Sequence, residues 1–249
     1  MATISINLSD IKKIDFIVTN GITAKQVYEK YKPDFIINGA LYDVDSSTNI
    51  TYCKDNGKSS GYLFSQEGLS IDEDEIKWGT LNNATNDFIG GSPCLVKNGK
   101  KFVYWGNKYS SYVDGTHKRS CIGFNKNKLF LFSSDGEMSI DKTVQTCLNL
   151  GMEYAINLDG GGSCHLQRGK TVIKGSSRAN CSWILVYMKQ KENEGEESME
   201  KVTVKCEGKE SEGFLKDGTT YVPARFIADQ LGATIVWDSE TKTVTITRK

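Results

Sequence analysis

Short apolar runs broken by glycines and polar turns recur through most of this chain: DFIINGALYD, GYLFS, DFIGGSPCLV, KFVYWG, KRSCIGF, KLFLFSS, YAINLD and SWILVYM. Runs of that length read as strands, and turn signals such as KNGK and NKNK join several of them. Two stretches carry the helical period instead. In TAKQVYEKY, Thr23 and Gln26 form a capping box and Pro33 follows the end. In SIDKTVQTCLNLG, Val144, Cys147, Leu148 and Gly151 fall on one face. Asp141 suits the positive N-terminal end of that helix, and Gly151 its C-terminal cap. The pattern predicts an α+β fold: a mixed, mostly buried β-sheet with helices packed on it.

The pattern changes at KQKENEGEESMEK, Lys189 to Lys201, where Met199 is the one apolar residue. Such a stretch cannot offset its own ordering by burial, so it reads as a solvated linker. The expected division is a catalytic unit at 1–189, a charged linker at 190–201 and a small unit at 202–249. In the last, VTVKC alternates, KDGTT turns, YVPARFIADQLG is helical with Pro223 in its first turn and Gly232 at its end, and TIVWD and TVTIT flank SETK. This predicts a ββαββ unit. At roughly 50 residues it is near the lower limit for an independent core, which favours docking or a homodimer through this unit.

Composition narrows the class. Hydrophobic residues make up 38% and charged residues 25%, as in a globular chain, and the net charge is +0. A duplex binder needs a basic excess, so nucleic acid is not an expected partner. No run reaches the roughly 20 apolar residues of a membrane span. MATISINLSDIKKIDFIVTN has no basic region leading into an apolar core, so the expectation is no signal peptide and cytoplasmic synthesis. The seven cysteines lack CxxC spacing and read mostly as reduced, buried small side chains, with one or two disulfides left open. His117 and His165 are too few and too far apart for a zinc site, and no metal or cofactor is expected.

One stretch asks for chemistry. In AINLDGGGSCHL an apolar strand runs into Asp159 and then Gly160, Gly161, Gly162 and Ser163. Alternation puts Tyr154, Ile156 and Leu158 on one face and Ala155, Asn157 and Asp159 on the other. Three glycines can take positive φ and turn several N–H groups on an anion, with Asp159 beside that cradle. They can equally form a tight turn with Asp159 capping its own backbone. The spacing is not a dinucleotide fingerprint, a P-loop or a nucleophile elbow. Cys164 and His165 are adjacent in an extended segment, so their side chains diverge.

YAINLDGGGSCHL resembles the signature of the phosphodiester glycosidase family, whose type activity removes N-acetylglucosamine from a phosphodiester. FIINGALYD resembles that family's early asparagine–glycine strand, GGSPCLVKNGK its Gly-Ser-Pro strand, KRSCIGFNKNKLFLFSSDG its arginine strand and hairpin, and SSRANCSWILVYM its closing strand. Cys164 and His165 depart from the small polar residues usual after the serine, and Ala40-Leu41-Tyr42 from a more glycine- and phenylalanine-rich stretch. DGTTYVPARFIADQLGATIVWDSETKTVTI resembles the stalk-type domain named after the N-terminal domain of copper amine oxidases. It contains no histidine, so no copper is implied.

The resemblance implies a hydrolase acting on a glycosyl–phosphate linkage. An anionic phosphate leaves with little protonation; positive charge grows on the sugar and negative charge on the phosphate. Asp159 would stabilise the sugar cation, attack it or activate water. Gly160, Gly161, Gly162 and Ser163 would cradle phosphate or a sugar hydroxyl, and Arg119 would clamp the phosphate. Asn38 and Asn157 would hold sugar hydroxyls or an N-acetyl group, and Arg178 the acidic ligand or a sheet-edge salt bridge. Asp135 in SSDG reads as a turn, His117 as a surface-loop residue, and Trp78, Tyr104 and Trp105 as core aromatics. A catalytic unit, linker and stalk suit a phage or prophage lysin acting on N-acetylhexosamine phosphodiesters of a bacterial cell-wall polymer, released to the wall on lysis. The alternative is a non-catalytic glycan- or phosphate-binding module of a phage or surface structural protein.

Overall fold

The structure, a computed structural model, describes residues 1–106, 113–189, 200–216 and 218–248. Most of the expected linker, 190–199, lies outside the described residues, and its last two, Glu200 and Lys201, already belong to a strand. The chain divides into two compact units, Met1–Lys189 and Gln190–Lys249.

The expected α+β architecture with one mixed sheet is not what forms. The first unit is mostly β, and its named strands pair antiparallel throughout. They make three larger sheets. One has six strands, in the order Ala2–Asn7, Lys128–Ser133, Ser120–Phe124, Tyr154–Asn157, Cys94–Lys97 and Lys100–Tyr104. A second has five, in the order Thr171–Lys174, Leu166–Arg168, Phe35–Asn38, Asn180–Met188 and Ile11–Ile22. A third joins Lys58–Ser60, Cys53–Asp55, Asp87–Gly90, Glu67–Asp72 and Glu75–Thr80.

The inner faces of all three enclose one core, which includes Phe16, Ile37, Leu69, Ile89, Ile122, Leu131, Ile156 and Ile184. The alternation along the strands explains the rest. Leu129 and Leu131 face this core, while Phe130 and Phe132 face outward, where helix Ile140–Asn149 covers them with Ile140, Val144 and Cys147. Ile184 and Val186 likewise face in, and Trp183 and Leu185 face out under helix Ala24–Tyr31. The first helix begins as read, with the Thr23–Gln26 capping box complete, and the second is capped by Ser139, which accepts from the Lys142 amide. They are short caps over faces of separate sheets. The overestimate of helical character has a simple cause. Continuous apolar runs say that a strand is covered on both faces, but not whether a helix or another sheet supplies the cover.

All seven cysteines are free thiols. The second unit has three strands before its helix, Glu200–Cys206, Lys209–Lys216 and Thr219–Tyr221, then helix Ala224–Gln230 and the hairpin Ala233–Asp238/Thr243–Arg248. The expected ββαββ order is one strand short, because Thr219–Tyr221 pairs as a strand where KDGTT predicts a turn.

Candidate active site

The strand Tyr154–Asn157 belongs to the six-stranded sheet, and Leu166–Arg168, nine residues on, belongs to the five-stranded sheet that contains Phe35–Asn38. The segment Leu158–His165 is the crossing between them. It is pinned from both sides. The Leu158 amide donates to Ser120 O (2.8 Å) and the Gly161 amide to Lys118 O (2.9 Å), on the first sheet's side. The Asp159 amide donates to Gly39 O (3.0 Å), and Asn38 Nδ2 donates to Asp159 O (2.8 Å), on the other.

Asn38 is wholly buried, and its Oδ1 accepts from the His165 amide at 3.0 Å. Both ends of its amide are thus spent on the crossing, and it does not line the cleft described below. Its hydrogen bonds tie the Asp159 main chain to the strand Phe35–Asn38. Asn157 is also buried; its Nδ2 donates to Ser92 O (2.6 Å) and Leu158 O (2.8 Å), which ties the crossing to the Gly-Ser-Pro strand. Its Oδ1 is buried without a partner, and the residue forms part of the cleft wall.

The three glycines have three separate reasons. A Cβ on Gly160 would lie 2.5 Å from Lys118 O, so the backbones approach too closely for a side chain. Gly161 has φ +59 and opens the one-turn 3-10 segment Gly161–Ser163. A Cβ on Gly162 would come within 2.8 Å of the Arg178 Cζ, so the Arg178 guanidinium lies directly against its bare Cα. Three of the four amides in the expected cradle already have partners in the protein. Gly160 N–H donates to Asp159 Oδ1 (2.8 Å), Gly161 N–H to Lys118 and Ser163 N–H to Gly160 O (3.1 Å). The cap of Asp159 on its own backbone and the charged pocket coexist.

A cleft of about 200 Å³ opens at this crossing. Asp159, Gly160, Gly161 and Gly162 line it on one side, with Tyr42, Leu41, His117, Arg119 and Arg178 around them. Burial raises the Asp159 pKa from 3.8 to about 6, although the Ser163 hydroxyl, the Gly160 N–H and the Arg178 charge all oppose the rise. Ser163 is buried, and its hydroxyl lies near enough to both Asp159 and Tyr42 to favour their ionised forms.

The two candidate arginines sit in different surroundings. Arg119 is 1% exposed, and its guanidinium is taken up by main-chain carbonyls: Nε donates to Met138 O (3.1 Å), Nη1 to Val113 O (3.0 Å) and Nη2 to Gly115 O. It holds the cleft wall together. Burial pulls its pKa down. Arg178 is exposed at the cleft and close enough to Asp159 to act on its titration. Of the two, Arg178 is the cation available to a ligand.

The sequence reading missed two participants. Tyr42 lines the cleft, and its hydroxyl donates to Asn180 Oδ1 (3.4 Å); burial raises its pKa. Asn180 Nδ2 in turn donates to Ser163 O (3.1 Å). The available signal was that both lie in segments carrying the family resemblance. His117, read as a loop residue, is half-buried and lines the cleft. Asp135 is exposed on its turn and pairs with Lys174 (3.8 Å). Trp78 sits away from the cleft, against Glu67, Lys97 and Phe102. Among the described residues, no group of three His, Cys, Asp or Glu side chains is placed to hold a metal.

Comparison with curated protein sequences gives no match. Among solved structures, the fold is similar to the zebrafish N-acetylglucosamine-1-phosphodiester alpha-N-acetylglucosaminidase catalytic domain, there auto-inhibited by its pro-peptide. The TM-score is 0.60 at 15% identity, over 76% of this chain and 83% of that one. A hypothetical protein from Synechocystis gives a TM-score of 0.60 at 12% identity, over 75% of this chain and 59% of its own. At such identities the likeness is one of fold. Residues 200–249 match the copper amine oxidase N-terminal domain. Residues 12–184, more than half of the chain and inclusive of the whole cleft, match the phosphodiester glycosidase family, and to that family of enzymes this chain belongs.

Proposed function

We propose that the cleft hydrolyses a glycosyl-1-phosphodiester, with Asp159 under the anomeric carbon and Arg178 on the phosphate. The bond broken joins the anomeric carbon to a phosphate oxygen. Water supplies the hydroxyl left on the sugar, and its proton goes to the released phosphomonoester. That leaving group has a second pKa of about 6, so it departs near neutrality without a strong general acid. What the transition state needs is a carboxylate for the sugar cation and a cation for the phosphate. The observation that carries the reading is a half-buried carboxylate beside an exposed guanidinium, within one small cleft.

Each role open to Asp159 requires its ionised form: stabilising the cation, attacking it or activating water. Turnover is therefore expected to rise with pH through about 6 and to be lost below, which a kcat profile from pH 4 to 9 would read. A flat profile, or one falling through that range, would count against it. Arg178→Ala should lower kcat/KM for a synthetic N-acetylglucosamine-1-phosphodiester by about 10²-fold, the usual cost of one preorganised anion donor. Unchanged kinetics would remove the phosphate role.

The finer reading places the sugar phosphate on a bacterial cell-wall polymer, as N-acetylhexosamine, with the enzyme acting as a phage-type lysin released on lysis. The match of residues 200–249 to a stalk-type domain supports an attachment or dimerising role for that unit. So do the apolar residues it leaves exposed, among them Tyr221, Val236, Trp237 and Ile246. Release of reducing sugar from purified walls, compared between the whole chain and residues 1–189, tests this reading; equal rates would argue against a wall-directed tail.

A further inference from the structure

The departure at Cys164-His165 has a structural use that the reaction itself does not require. His165 is 2% exposed and stacks edge-on against Trp183, with ring centroids 5.6 Å apart. It is not a cleft residue. Its Nδ1 accepts from the Ser176 amide (3.1 Å), so the ring proton is on Nε2, which donates to Gln167 Oε1 (2.9 Å). Gln167 Nε2 completes the chain on Gly169 O (2.7 Å). The tautomer and the ring plane are thereby held from both sides. Burial keeps the imidazole below its ordinary pKa, which preserves the Nδ1 lone pair.

Ser176 is the hinge of the turn that carries Arg178. Its hydroxyl donates to Gly162 O (2.6 Å) and accepts the Arg178 amide (3.0 Å). The guanidinium of Arg178 then lies against the Gly162 Cα. One continuous chain of contacts thus runs from the core, through His165 and Ser176, to the exposed cation and the glycine turn beside Asp159. The geometry points to His165 as a positioning residue, one that holds the Ser176–Arg178 turn so that the Arg178 guanidinium meets the substrate phosphate. This rests on the phosphate role given above to Arg178. The physical reason is that an exposed arginine on a short turn loses much side-chain and loop freedom when it binds; a turn already ordered has less left to lose.

The test is a set of variants assayed with a synthetic N-acetylglucosamine-1-phosphodiester and with inorganic phosphate as inhibitor. His165→Phe keeps the ring against Trp183 but removes the acceptor. It is expected to raise KM and the phosphate inhibition constant together by about tenfold, while kcat falls much less. His165→Asn places an oxygen where Nδ1 was and should restore both to within about threefold. In an Arg178→Ala background, His165→Phe should have no further effect on phosphate inhibition, because the two act as one unit. If His165→Phe does not fold, Ser176→Ala, at the surface, must give the same KM and inhibition pattern. Full additivity with Arg178→Ala, or loss of kcat with phosphate inhibition unchanged, would overturn the inference and leave the reaction assignment standing. If Arg178→Ala itself alters neither turnover nor phosphate inhibition, the functional reading fails first and takes this one with it.

Discussion

Asp159→Asn is expected to abolish turnover and at the same time to stabilise the protein at neutral and higher pH. The first effect follows from the loss of the carboxylate that, among the described residues, lines the cleft; a drop of at least about 10³-fold in kcat is in proportion to the removal of such a group. The second follows from its titration. The folded-state pKa is raised from 3.8 to about 6, so the folded protein binds this proton more tightly than the unfolded chain does. Stability from this site is therefore full at low pH, falls as pH rises through that window and stays low above it. The difference corresponds to about 3 kcal/mol at most, at 1.36 kcal/mol per pK unit. Asparagine keeps an oxygen for the Gly160 N–H and carries no charge to desolvate, so it should recover part of that difference above pH 6 and little near pH 4. Urea unfolding at the two pH values, beside an assay for reducing sugar, reads both effects. Retained turnover would sink the assignment of Asp159, and an equal stability change at both pH values would sink the electrostatic account.

The second large effect concerns Arg119, and it runs the other way. Arg119→Met should cost stability on the order of 4 kcal/mol, because the Met138, Val113 and Gly115 carbonyls lose charged donors inside the protein. Relief from burying a cation offsets only part of this, since removing one side of a buried polar arrangement leaves the other side unsatisfied. Arg119→Lys should rescue poorly: a single ammonium cannot reach three carbonyls arranged around a planar fork. The contrast with Arg178→Ala is the diagnostic. That variant should stay folded and lose activity, whereas the Arg119 variants should lose activity only in step with their folded fraction. Thermal unfolding read beside specific activity separates the two cases. A stable, inactive Arg119→Met would return Arg119 to the phosphate.

The same pair shows how far local sequence reaches. Arg119 and Arg178 were both visible as candidates, but a strand arginine and a loop arginine cannot be ranked for burial from their neighbours in the chain. Asn38 looked like a ligand residue for the same reason: a polar side chain ending an apolar strand can face a cleft or staple a crossing, and its hydrogen bonds run to Asp159 and His165, which are remote in sequence. His117 and Tyr42 reach the cleft because sheets built from distant segments bring their loops to one end.

What the sequence determined by itself was local. The turn residues, the capping box at Thr23, the Ser139 cap, the alternation through YAINLD, and the placing of an acid before three glycines where a strand ends all depend on neighbours a few residues apart. The tertiary structure alone decided that the strands form three antiparallel sheets around a shared core. It also decided that the glycine turn is the crossing between two of them, and that Arg178, not Arg119, is the exposed cation there. Those outcomes depend on register between strands far apart in the chain, and a one-residue shift in register exchanges core and solvent faces without altering any local pattern.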